Sequence, residues 1–180
     1  WRKDAKGKDA PLRILEGAKT MLAEAQGIAV DTKNQLLYVS NQGAYAVTNN
    51  NVGWSRAVVP GSPTWNIPSR LLDMIPGAGS FHEPSINVYP LKANGDVAPL
   101  RIIQGPLTRL NWPAHISLDP ENQELYVANP VTQEIIVFRA TDSGNAAPIR
   151  VLKGPHTNIS YPHGVFVDTK NNELLVANFG

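Results

Sequence analysis

The sequence Ala-Pro-(Leu/Ile)-Arg occurs three times, at Ala10–Arg13, Ala98–Arg101 and Ala147–Arg150. Pro11 and Pro99 are 88 residues apart, and Pro99 and Pro148 are 49 apart. Other landmarks keep the same steps. "GIAVD", "HISLD" and "GVFVD" end at Asp31, Asp119 and Asp168; "LLYVSN", "ELYVAN" and "ELLVAN" end at Asn41, Asn129 and Asn178. "INVY" and "IIVF", ending at Tyr89 and Phe138, are again 49 apart. Landmarks held in one register define a tandem repeat, and a repeat bounds the fold more tightly than any local propensity. The unit is about 49 residues, and the first interval exceeds it by 39, all between Asn41 and Ser85.

Each unit holds four short runs rich in Val, Ile and Tyr. Turn-formers such as "DTKN" and "DPENQ" separate them, which is strand and hairpin chemistry. The 14 Gly and 15 Pro favour short strands over long helices. Four strands per 40–50 residues is the signature of a β-propeller blade. The fold class is therefore all-β, a propeller segment of four-stranded antiparallel blades.

The pattern P-x-G-(I/V)-x-V-D-x-x-x-N-x-L-(Y/L)-V-A-N…I-x-V-F resembles the NHL-repeat family and related lactonase-like propellers, over nearly the whole chain outside the extra 39 residues. The resemblance implies a strand order. "GIAVD" lies innermost along a central channel, "LYVAN" second, "IIVF" third and "PLRII" outermost. It implies little about activity, because propellers host many functions.

This register divides the chain. Residues 1–17 read as the outer remnant of a preceding blade, with Trp1 closing a third strand. Residues 18–105 are a blade carrying an insertion within 42–84, residues 106–154 a second complete blade, and residues 155–180 the inner half of a third. Such a wedge is expected to expose two raw sheet faces and to be a window of a longer chain. A ring of about six or seven units would need roughly 300–350 residues.

With 180 residues and a net charge of +1, the chain gives no global attraction for nucleic acid or an anionic membrane. No apolar run reaches the ~18–20 residues of a membrane helix. Cys is absent, which removes disulfides, thiolate metal sites and Cys nucleophiles. No nucleophile elbow, phosphate loop or dinucleotide fingerprint is present.

Three residues are candidates for the channel mouth. His163 in "YPHGVFVD" precedes an inner strand, and His115 in "WPAHISLD" stands one position later, where the other copies have Gly27 and Gly164. Imidazole is the usual near-neutral metal ligand. The competing reading is packing beneath Trp112 and Tyr161. Asn129 is the third candidate, but with Asn41 and Asn178 it forms a column that strand-end hydrogen bonding explains. Asp31, Asp119 and Asp168 are expected to cap turns at the opposite end. Arg13, Arg101 and Arg150 read as a solvated outer column. No catalytic residue and no metal ligand set is assigned.

The insertion carries Trp54, Trp65 and Phe81. A long loop in a compact domain is usually functional, and Trp often dominates a protein interface. These three are the candidate partner-binding residues. "SRLLDMI" is expected to form about two helical turns between Pro68 and Pro76.

Two functions follow as expectations. The first is a non-catalytic scaffold without cofactor, binding a protein partner through its loop-bearing face in an extracellular or periplasmic assembly. The alternative is a lactonase-like hydrolase, in which a divalent cation in the channel polarises a carbonyl and activates water. The inner-strand starts Gln26-Gly27, Ala114-His115 and His163-Gly164 hold no carboxylate, which favours the first.

Overall fold

A computed structural model of the chain describes residues 1–43, 46–47, 54–57, 65–68 and 83–179. Its sheets are antiparallel throughout. The first contains β1 (Ala25–Asp31), β2 (Leu36–Asn41), β6 (Ser85–Pro90) and β7 (Arg101–Gln104), hydrogen-bonded in that order. The second contains β8 (Ile116–Asp119), β9 (Glu124–Asn129), β10 (Glu134–Arg139) and β11 (Arg150–Leu152), again in chain order. A third comprises β12 (Pro162–Asp168) and β13 (Glu173–Asn178). These are propeller blades, with strands in the order that the family resemblance implies. Residues 12–15 form no strand: only Leu15 bridges, to Gly95.

The insertion holds a small sheet of its own, β3 (Ala46–Val47), β4 (Trp54–Ala57) and β5 (Trp65–Pro68). The expected helix at 69–75 lies outside the described residues. Among those described, helix is confined to three 3-10 turns at Ala18–Thr20, Pro106–Thr108 and Pro155–Thr157. None is long and apolar enough to cross a membrane.

The second sheet is buried on both faces across β9 and β10 while β11 is exposed, which is why β10 reads as a continuous apolar run rather than an alternating one. Leu125, Val127, Ile136 and Phe138 join Tyr38, Ile86 and Val88 of the first sheet in one core. Their neighbours Ala128 and Ile135 join Val165 in a second core, with Tyr126, Leu174 and Val176 at its edge. Period-two alternation thus sends one strand into two interfaces. The inner strands β1, β8 and β12 touch in series. Beyond them the stack ends in exposed apolar side chains. Ile28 is 67% exposed on one outer face and Phe166 61% on the other.

Blades are also tied at both ends. Gln123 Oε1 accepts from Asn34 Nδ2 at 3.3 Å, and the His115 amide donates to His163 O at 3.2 Å. At the rim, Gly95 bridges Leu15 and Gly144 bridges Ile103. The repeated phrase therefore encodes a strap at Gly95 and Gly144: its leading glycine reaches back to the outer segment of the preceding repeat.

The solvated arginine column is corrected for two of its members. Arg101 lies across Val88 from Tyr38 and donates to Tyr38 Oη and to Ala140 O of the next blade. Arg150 lies across Val137 from Tyr126 and pairs with Glu124. The short Val lets each guanidinium reach over strand three, with its carbon 5.7 Å and 5.9 Å from the two Tyr ring centres. That is cation–π range.

Candidate functional site

Antiparallel pairing gathers the starts of the first and third strands and the ends of the second and fourth at one end of each blade. The insertion leaves from that end, between paired residues Asn41 and Ser85. So do the loops joining one blade to the next, and these share one construction. "GAKT", "GPLT" and "GPHT" begin with a glycine at φ 124°, 120° and 132°, a region that only glycine adopts readily. The closing Thr donates to that glycine's carbonyl at 2.6, 2.6 and 2.7 Å. The next residue, Met21, Arg109 or Asn158, is left-handed.

The Asn column ties these loops to the blades. Asn129 Oδ1 accepts from the Asn111 amide at 2.8 Å, and its Nδ2 donates to Arg109 O, Thr132 Oγ1 and Glu134 Oε1. Asn41 and Asn178 accept from the equivalent amides of Ala23 and Ser160. The partners lie about one loop upstream rather than in the strand-end turn alone, so the column binds loop to blade. Both functional groups of the Asn129 side chain, which is fully buried, are used within the chain.

His115 is exposed and its backbone joins the second and third blades. His163 is half-buried, its ring 5.8 Å from Tyr161 and 5.4 Å from Phe179. The packing arrangement anticipated from Tyr161 is thus present around His163. The two His residues are joined by that backbone hydrogen bond across the blade boundary. Glu24, at the position of Trp112 and Tyr161, adds a carboxylate two residues before Gln26 that inspection of the strand starts alone overlooks. Among the described residues no three His, Cys, Asp or Glu side chains converge.

Trp54 and Trp65 stand at opposite ends of the β4–β5 ladder, across from Pro68 and Ala57. Phe81 lies outside the described residues.

A charged cluster at the same end is absent from the sequence reading. Glu134 opens β10 with its side chain fully buried. Arg109 Nη2 donates to its Oε2 at 2.7 Å, Thr132 Oγ1 to its Oε1 at 2.9 Å, and Lys153 Nζ lies 3.5 Å from Oε2. Burial would raise the carboxyl's pKa, but the Arg109 and Thr132 hydrogen bonds win and hold it below the ordinary range. The group is a carboxylate. Lys153 and Thr132 line an adjoining cleft of about 480 Å³. The sequence signal was a departure from the repeat: Met21, Ser85 and Gln104 stand where blade two has Arg109, Glu134 and Lys153.

Neither a protein-family profile nor a curated protein matches this chain. Solved structures similar to it include a nidogen/laminin complex, at 16% identity and TM-score 0.49 over 87% of this chain and 40% of that one. Another is the complex of KlAtg21 with the coiled-coil of AgAtg16, at 15% identity and TM-score 0.44 over 84% of this chain and 36% of that one. A third is Kuenenia stuttgartiensis hydrazine synthase, at 10% identity and TM-score 0.36 over 85% of this chain and 58% of that one. The chain spans less than two thirds of each. The propeller assignment rests on the blades' own topology.

Proposed function

We propose that this chain is part of an NHL-like β-propeller scaffold whose loop-bearing end binds a protein partner in an extracytoplasmic assembly. One observation carries the reading: the 43 residues between Asn41 and Ser85 and the inter-blade loops leave from the same end of a frame locked by repeated side chains. A stiff disc with variable loops at one end is suited to recognition. The repeated Asn, Asp and Arg side chains serve that frame. Asn129 binds loop to blade, Asp119 caps a turn and Arg150 holds an outer strand.

The test is site-specific photo-crosslinking in the native host. A probe at Leu107 or Asn158, on the loop-bearing end, should label one protein; a probe at Lys92 or Thr141, on the opposite end, should not. Equal labelling from both ends would refute the reading. So would a stoichiometric divalent cation found by elemental analysis, which would favour hydrolysis at the channel instead.

A further inference from the structure

We infer that the cleft beside Lys153 binds a carboxylate side chain of an acidic protein segment. The inference rests on the scaffold reading and names the chemistry of its partner.

The first blade supplies an internal control. There the buried amide of Asn41 donates to the hydroxyl of Ser85, which in turn donates to Asn87 Oδ1. Neutral groups satisfy that position, so the blade requires no ion there. In the second blade the same position holds Glu134 with two cations against it. Nor does the backbone call for Arg109. The left-handed conformation there suits Asn, as at Asn158, better than Arg. A buried carboxylate with its cations is no cheap substitute for a neutral pair, and the fold alone gives no reason for it.

The charges do not cancel. Arg109, Thr132 and Asn129 already hold Glu134 at 2.7, 2.9 and 3.1 Å. Lys153 stands farther off at 3.5 Å, its side chain 48% exposed. Two cations against one carboxylate leave one positive charge, and it lies on the Lys that lines the cleft. Val131, Pro155 and Ile159 give the cleft an apolar wall. A monoanion with a short aliphatic stem, Asp or Glu, matches both. A dianionic phosphate would set surplus charge near Glu134.

Fluorescein-labelled hexaglutamate is the probe, hexaglutamine its neutral control, and anisotropy with the full chain the measurement. Lys153→Gln copies Gln104 of the first blade and should fold. We expect hexaglutamate to bind above hexaglutamine, to weaken with added salt, and to lose about fivefold in affinity in Lys153→Gln. Lys92→Gln, at the opposite end, should bind as the parent does. Equal binding of the two peptides, or equal losses in the two variants, overturns the inference. Displacement by inorganic phosphate at matched charge overturns the carboxylate assignment. If crosslinking from Leu107 and Asn158 persists in Lys153→Gln while the peptide results fail, the scaffold reading stands and the cleft's role falls. If the peptide results hold and crosslinking is equal from both ends, the reverse applies.

Discussion

Arg150 sets its two terminal nitrogens on the two carboxylate oxygens of Glu124, each 2.6 Å away. The hydrogen bonds from Arg150 hold the Glu124 carboxyl below its ordinary range. Half the Arg side chain is exposed, so solvent screens the pair. Arg150→Ala should lower stability to urea by about 1 kcal/mol, with part of the loss coming from the contact with Tyr126. Arg150→Lys should recover less than half, because an ammonium cannot engage both oxygens. Full recovery would show that charge alone matters.

The Asn column offers a graded test. Asn129→Ala strands buried donors and acceptors and should cost about 2–3 kcal/mol. Asn178 makes equivalent bonds to Ser160 and Asn158 in an exposed setting. Water replaces those partners, so Asn178→Ala should cost less than about 1 kcal/mol. Equal losses in chemical denaturation would contradict the loop-to-blade role.

Acid should unlock the opposite end. Burial pushes the carboxyls of Asp31 and Asp119 up, yet the backbone and side-chain N–H groups of Asn34 and Asn122 hold both below the ordinary range. A group with a lowered folded pKa contributes its full stabilisation above the unfolded value, near ~4, and loses it as pH falls through the folded one. Tm should therefore drop steeply below about pH 4. Asp31→Asn and Asp119→Asn should each flatten that acid limb in calorimetry. An unchanged slope would detach these turns from acid unfolding.

Gly105 and Gly144 separate two glycine requirements. At Gly105 an added Cβ would lie 2.7 Å from Asn145 Oδ1, the acceptor of the Leu107 amide, at a φ of 120°. Gly105→Ala should cost about 2–3 kcal/mol through strain and the lost bond. Gly144 has φ 64° and open space around it, so Gly144→Ala should cost only about 1 kcal/mol. Thermal denaturation of the pair reads the difference.

The repeat unit was legible because each strand sits at a fixed offset from Pro11, Pro99 or Pro148, and the strand order came with the family resemblance. The interfaces went unread, although "EIIVF" is apolar at successive positions, as burial on two faces requires. Arg101 and Arg150 were misread because their partners, Tyr38 and Glu124, lie two strands away, and a column of identical residues carries no trace of that reach. Glu134 escaped notice for the opposite reason. Single charged residues are common on blade ends, and only the comparison with Ser85, Met21 and Gln104 marks it. The two His residues were singled out by type, as imidazoles beside inner strands. Geometry gives His163 to an aromatic cluster with Tyr161 and Phe179 and leaves His115 exposed.

The stem formed by Asn41 and Ser85 has a further consequence. In the second blade the matching pair, Asn129 and Glu134, is bridged by residues 130–133, whereas the first blade spends residues 42–84 on the same crossing. A polymer bridge ten times longer adds only about 2 kcal/mol of closure entropy, and the ladder that clamps its feet is indifferent to what it contains. That crossing is a socket. Foreign peptides, reporters or whole small domains spliced between Asn41 and Ser85 should leave the stacked blades intact, whereas splices into the glycine straps at the rim should unseat adjoining blades.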